Sequence, residues 1–286
     1  MKKSVTLMGL FFLGLFMAMC SLQKKKEIGL QLYSVRDAMK EAPAETVRKV
    51  GEMGYTFVEA AGYSDGKFYG MDPVAFKTLV EESGMKFISS HTGHSLPDSA
   101  SWDSAMAWWD ECIEAHVKAG VKYIVQPWMG EEGYQSLEGL KKYCEYFNVV
   151  GEKCRKKGIL FGYHNHDKEF RKLEGEVIYD FMLRNTDPEK VFFQLDLYWI
   201  IEGGKDPIDY FKNYPGRFIL WHVKDEKELG ASGKVDFERI FSAADQAGVN
   251  YLIVEVEKYN YDPLESVEKS LLYLQKADFV KNSYGK

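Results

Sequence analysis

The sequence predicts a single (β/α)8 barrel, and three observations carry that expectation. From Ile28 onward, short apolar or β-branched runs recur at intervals of 27 to 38 residues, each followed by a stretch of helical period. The runs number eight. No Pro, Gly or Ser-rich linker and no second pattern of strands interrupts them, and 286 residues suffice for one such barrel.

The predicted strands are IGLQLY from Ile28, YTFVEA from Tyr55, KFISSH from Lys86, VKYIVQ from Val121, ILFGYH from Ile159, VFFQLD from Val191, FILWHV from Phe218 and YLIVEV from Tyr251. Helix punctuation fills the gaps. Asp72-Pro73 and Asp206-Pro207 each supply an N-cap with proline at the first helical position. Gly54, Gly84, Gly120, Gly158 and Gly248 fall between a helical pattern and the next strand, where a left-handed C-cap is wanted. Trp102, Met106, Trp109, Ile113 and His116 share one helical face, which makes His116 a packing or surface residue. A doubly wound open sheet is the alternative fold. It would prefer a Gly-rich turn after the first strand, where QLYSVRD has no glycine.

Composition bounds the rest. With 45% hydrophobic residues, 18 Tyr, 18 Phe and six Trp, the chain has ample core material, which excludes disorder and fibrous repeats. The 37 basic against 43 acidic residues give a net charge of −6, which argues against a nucleic-acid partner. The one dense basic run, Lys24 to Lys26, reads as a solvated linker. Cys112, Cys144 and Cys154 form no CxxC pair, and the last two lie on the apolar stripe of one helix as small buried hydrophobes.

The N-terminus reads as an export signal over residues 1–20: Met1-Lys2-Lys3, an uncharged run from Val5 to Met19, then Cys20 and the polar SLQKKKE. The run is shorter than a comfortable membrane span. A lipoprotein-type signal with Cys20 as the lipidated residue is the expectation, with cleavage elsewhere and an uncleaved anchor as alternatives. Residues 21–27 then form a short linker and 28–286 the barrel. Each of these readings places the barrel outside the cytoplasm of a bacterium or on a membrane face, periplasmic or lipid-anchored.

In such a barrel the chemistry collects at the C-terminal ends of the strands. Those ends carry Gln31, Tyr33 and Arg36; Glu59; His91 and His94; Gln126 and Trp128; His164, Asn165 and His166; Asp196 and Trp199; His222, Lys224 and Asp225; Glu255 and Glu257. Five of the six histidines are there. His164, Asp196, His222 and Glu255 come from four consecutive strands, and their mixture of imidazole and carboxylate suits one divalent metal of the Mn, Zn, Co, Fe or Mg kind. Glu59 and His91 are candidates for orienting a ligand or touching substrate, and Trp128 and Trp199 for stacking on a ring. GASGKV after the seventh strand is a candidate phosphate cradle through its backbone amides.

From Ile28 to Phe279, the stretches IGLQLYSVRD, GYTFVEAAGY, SSHTGH, GYHNHDKEF, FFQLDLYWIIEGGKDP, RFILWHVKDE, GASGKVDF and YLIVEVEKYNYDPLESVEKSLLYL resemble the xylose-isomerase-like TIM barrels described as sugar phosphate isomerases/epimerases. The resemblance implies a small-molecule carbohydrate substrate and one divalent metal, manganese first, held from strands five to eight. The sugar 3-epimerases of that family use Glu, Asp, His and Glu. Asp196, His222 and Glu255 match; His164 stands where the family has its first Glu.

These readings lead to a metal-dependent isomerase/epimerase acting on a keto sugar through an enediolate, with Glu255 as general base and His166 or Lys224 assisting proton transfer. Glu59, His91, Trp128 and Trp199 would shape the substrate pocket. A lyase or hydratase acting on 3-keto-glycosides by the same chemistry is the first alternative, and a non-catalytic sugar-binding lipoprotein the second. The sequence leaves the oligomeric state open.

Overall fold

The computed structural model describes residues 25–285. The expected export signal and Cys20 lie outside the described residues. Within them, eight parallel strands close into a barrel: β1 Ile28–Gln31, β2 Phe57–Ala60, β3 Lys86–His91, β4 Tyr123–Gln126, β5 Leu160–His164, β6 Val191–Asp196, β7 Leu220–Val223 and β8 Tyr251–Val254. β1 pairs with both β2 and β8, which closes the ring and rules out the open sheet. All eight predicted runs are strands, and helices separate them. Among the described residues no helix is long and apolar enough to cross a membrane.

The punctuation works as its chemistry requires. Asp72 and Asp206 accept from the amides of Val74 and Ile208, and a further Asp-Pro pair, Asp262-Pro263, caps the last helix through Leu264 N. Gly54 and Gly248 are left-handed helix caps, at φ of 111° and 79°. Cys112, Cys144 and Cys154 are buried free thiols. His116 is buried against Phe68 and Tyr63, its Nδ1 2.7 Å from the Cys112 carbonyl.

Two layers of side chains fill the barrel, and their stacking explains where the site lies. The lower, apolar part holds Phe57, Ile88, Phe192, Leu220 and Ile253, with Tyr123 and Val125 spanning its depth on β4. Side chains alternate along a strand, so the residue two places onward points into the same lumen one layer higher. Thus Phe57 leads to Glu59, Phe192 to Gln194 and Asp196, Leu220 to His222, and Ile253 to Glu255. Gly29 and Gly162 make room for this packing: a Cβ there would lie 2.0 and 2.5 Å from the Phe57 and Phe192 rings. Two places beyond them stand Gln31 and His164. Between the barrel and its helices lies a second, larger apolar core that includes Trp109, Phe147, Phe161 and Trp221.

Candidate active site

The upper layer is a buried polar cluster beneath a cavity of about 400 Å3. Tyr33, Tyr63, Trp108 and Trp128 give the cavity aromatic walls, and His91, His164, His166, Glu255 and Glu257 give it polar ones. Trp128 and Tyr33 stand at its mouth, 40% and 43% exposed.

Asp196 ends β6 and begins the helix Leu197–Glu202, where its Oδ1 accepts from the amides of Tyr198 and Trp199 at 2.9 and 2.8 Å. That cap fixes the carboxylate, while its Oδ2 is buried with no hydrogen-bond partner. His164 Nδ1 is likewise buried and unpartnered. One donor atom from each of His164, Asp196, His222 and Glu255 lies within 4.8 Å of the other three. Two imidazoles, two carboxylates and two orphaned donor atoms fit a divalent ion, since buried polar atoms are otherwise hydrogen-bonded.

Charge is arranged around this set. Burial would raise the Glu255 carboxyl, but Lys224 and His222 hold it well below the usual range. Burial would likewise deprotonate His222, yet Glu255 and Glu59 raise it to about 10. Burial pushes Asp196 up to about 7 against the pull of Lys224. Burial and the neighbouring imidazoles drive His164 well below its ordinary value, so it is neutral at pH 7.

Glu59, a candidate for orienting a ligand or touching substrate, is sealed beneath the cavity. Gln31 Nε2 and Gln194 Nε2 donate to it at 2.8 Å each, the Ser89 hydroxyl donates as well, and His222 Nε2 lies 2.6 Å and His91 Nε2 3.2 Å away. Burial would raise this carboxyl, but His91 and His222 hold it at about 2. Its place is that of a fixed anion orienting two imidazoles. Lys224, a candidate for assisting proton transfer, also lies off the cavity wall. Its Nζ sits 3.0 Å from Glu255 Oε2 and 3.8 Å from Asp196 Oδ2, and 4.9 Å from the Trp199 ring centre. It holds the carboxylates from behind, and Trp199, expected to stack on substrate, packs against it rather than lining the cavity.

His91 reaches the cavity with its Nε2 2.6 Å from Gln194 Oε1 and its ring stacked on His222 at 5.0 Å. His166 lies on the wall, its ring 4.9 Å from that of His164. Glu169 places it: this buried carboxylate accepts from the His166 amide at 2.8 Å and from the Tyr163 hydroxyl at 2.7 Å. The GASGKV loop cradles an internal anion instead of a phosphate. Asp225 accepts from Gly230 N at 3.0 Å and from the Ser232 hydroxyl, which leaves those donors occupied.

Sequence reasoning passed over Ser89, Gln194, Glu169, Tyr63 and Trp108. Ser89 and Gln194 gain their roles from strands far apart in sequence, and Trp108 carried no signal beside the core residue Trp109.

A closed parallel barrel with two imidazoles and two carboxylates converging at its strand ends defines a (β/α)8 protein with a candidate metal centre. The chain belongs to the xylose isomerase-like TIM barrel family, whose model matches residues 47–277. A solved sugar phosphate isomerase/epimerase from Parabacteroides distasonis is 35% identical, with a TM-score of 0.84 over 90% of this chain and 100% of that one. An inosose dehydratase from Lacticaseibacillus casei is 26% identical over 75% of this chain and 85% of its own length. A 3-keto-D-glucoside 4-epimerase from E. coli shares the fold at 18% identity, with a TM-score of 0.66 over 88% of this chain and 100% of that one. By their names these relatives are sugar isomerases, epimerases and dehydratases.

Proposed function

We propose that the protein is a divalent-metal-dependent isomerase/epimerase that moves a proton next to the carbonyl of a keto sugar. The observation that carries this reading is the four-residue cluster, with its two orphaned donor atoms, on the floor of a polar, aromatic-walled cavity. A divalent ion, manganese first, held by His164, Asp196, His222 and Glu255 would polarise the substrate carbonyl and acidify the neighbouring C–H bond.

The chain's own groups divide the remaining work. Glu255, on the cavity wall and held ionised by Lys224 and His222, is the general base. His166 faces the same cavity and returns the proton. His91, held by Gln194 and Glu59, presents its ring to the bound sugar. Lys224 positions Glu255 and Glu257, and Glu59 fixes the His222 ring. The aromatic walls supply faces against which the apolar side of a sugar ring packs.

One observation favours a second reading, lyase or hydratase action on a 3-keto-glycoside. His164 occupies the β5 position as a neutral imidazole, so Glu255 is the one carboxylate among the cluster's cavity-lining groups. One strong base suits proton removal followed by loss of a β-substituent. The dehydratase name of the Lacticaseibacillus relative is consistent with it. The export reading of residues 1–20 points the same way, because glycosides are more accessible than phosphorylated sugars outside the cytoplasm.

The test is incubation of the manganese-loaded protein in deuterated water with a panel of keto sugars and 3-keto-glucosides, followed by NMR. Deuterium beside the carbonyl of an intact sugar supports the isomerase/epimerase reading; release of the aglycone or of water supports the second. Saturable binding without exchange or release across the panel would overturn both in favour of a sugar-binding protein.

A further inference from the structure

A second cavity of about 400 Å3 opens beside the first and shares two wall residues with it, Tyr33 and Ala61. Its own lining is different in character. Leu32, Met39, Pro43 and Tyr69 make it largely apolar, and its charged residues, Arg36 and Lys40, are both cations. Neither forms a salt bridge among the described residues. The first cavity carries carboxylates on its wall; the second carries none.

The partition between them is fixed. The Gln31 side chain accepts from Tyr33 N at 3.0 Å, which seats the short helix Leu32–Val35 at the end of β1. The Arg36 guanidinium lies 4.8 Å from the Tyr33 ring centre and donates to Tyr259 Oη at 2.6 Å. Tyr33 therefore stands as a ring shared by both cavities, with the polar cluster on one side and an apolar, cation-flanked space on the other.

We propose that the second cavity is a subsite for the aglycone of a glycoside substrate, an aromatic ring bearing a carboxylate or similar anion, while the sugar ring occupies the first. This rests on the 3-keto-glycoside reading above and narrows its substrate class. A cavity of this size lies in the range of about 300–1,000 Å3 that encloses drug-sized ligands, so each of the two spaces takes a ring of its own. Apolar walls favour an aromatic body over a free phosphate, which would have to shed its water against Met39 and Pro43. The two cations, in an otherwise acidic chain, select the charge.

The probe is 4-hydroxybenzoate, compared with the neutral 4-hydroxybenzamide, titrated into the full chain with methyl-labelled methionine. The Met39 signal is assigned by Met39→Leu, a volume-conserving change. Benzoate should shift the Met39 methyl and bind at least about fivefold more tightly than the amide, and Lys40→Glu should erase that preference. High salt should weaken the benzoate selectively. A Met39 signal unmoved at saturation, or the same preference in Lys40→Glu, would overturn the proposal. Neither probe is a keto sugar, so the result stands apart from the solvent-exchange test of the reaction.

Discussion

Glu59 Oε1 lies 2.6 Å from His222 Nε2, while Nδ1 of the same ring lies 3.2 Å from Glu255 Oε2. A buried carboxylate on one ring nitrogen fixes the proton there and leaves the other free to serve as a ligand. Glu59→Gln keeps the volume but loses the anion. It should lower manganese affinity by about 10- to 100-fold while the barrel stays folded. A chelator-competition titration measures this, and unchanged affinity would show that Glu59 does not act through His222.

Asp196 has two jobs on two oxygens, and two substitutions separate them. Asp196→Asn retains an oxygen to accept from Tyr198 and Trp199 but surrenders the charge that faces the cluster. Asp196→Ala loses both. Both variants should fail to retain metal by elemental analysis, whereas only the alanine should lose the cap, at a cost of about 1 kcal/mol in denaturant melts. Full metal retention by the asparagine variant would remove Asp196 from the ligand set.

The strands were legible because their runs alternate with helical pattern, and the four ligand candidates because each stands at the end of such a run. His222 and Glu255 follow Leu220 and Ile253 by two places, so one periodicity fills the lower layer and arms the upper one. What stayed hidden depends on closure. Gln194 reaches Glu59 across 135 positions of sequence, and His222 reaches it across 163. No local pattern encodes those pairings, so the sequence leaves Glu59 open between orienting a ligand and touching substrate. Its depth below the cavity, rather than its residue type, favours the first.

Lys224 is nearly inaccessible and touches Glu255 and Glu257. Replacing it by Met leaves Glu255 with His222 as its one charged partner and strips Glu257 of its contact, a loss of about 3 kcal/mol in the metal-free protein. An added divalent ion supplies the missing positive charge, so manganese should raise the melting temperature of Lys224→Met by more than it raises that of the wild type. Equal increments would mean that Lys224 does not balance the carboxylates.

His116 offers a pH test away from the cluster. Burial lowers its pKa to about 4, against 6.5 for a free side chain. The unfolded chain therefore takes up a proton that the folded chain refuses between these values. The stability conferred by the neutral ring is complete above 6.5 and is lost as pH falls through the window toward 4. Between about pH 7 and pH 5 the loss attributable to this group is about 2 kcal/mol. His116→Leu removes the titrating group, so its stability should fall by about that much less than the wild type's over the same interval, read from urea melts at each pH. Parallel losses in the two proteins would show that the His116 ring is protonated as readily in the fold as outside it.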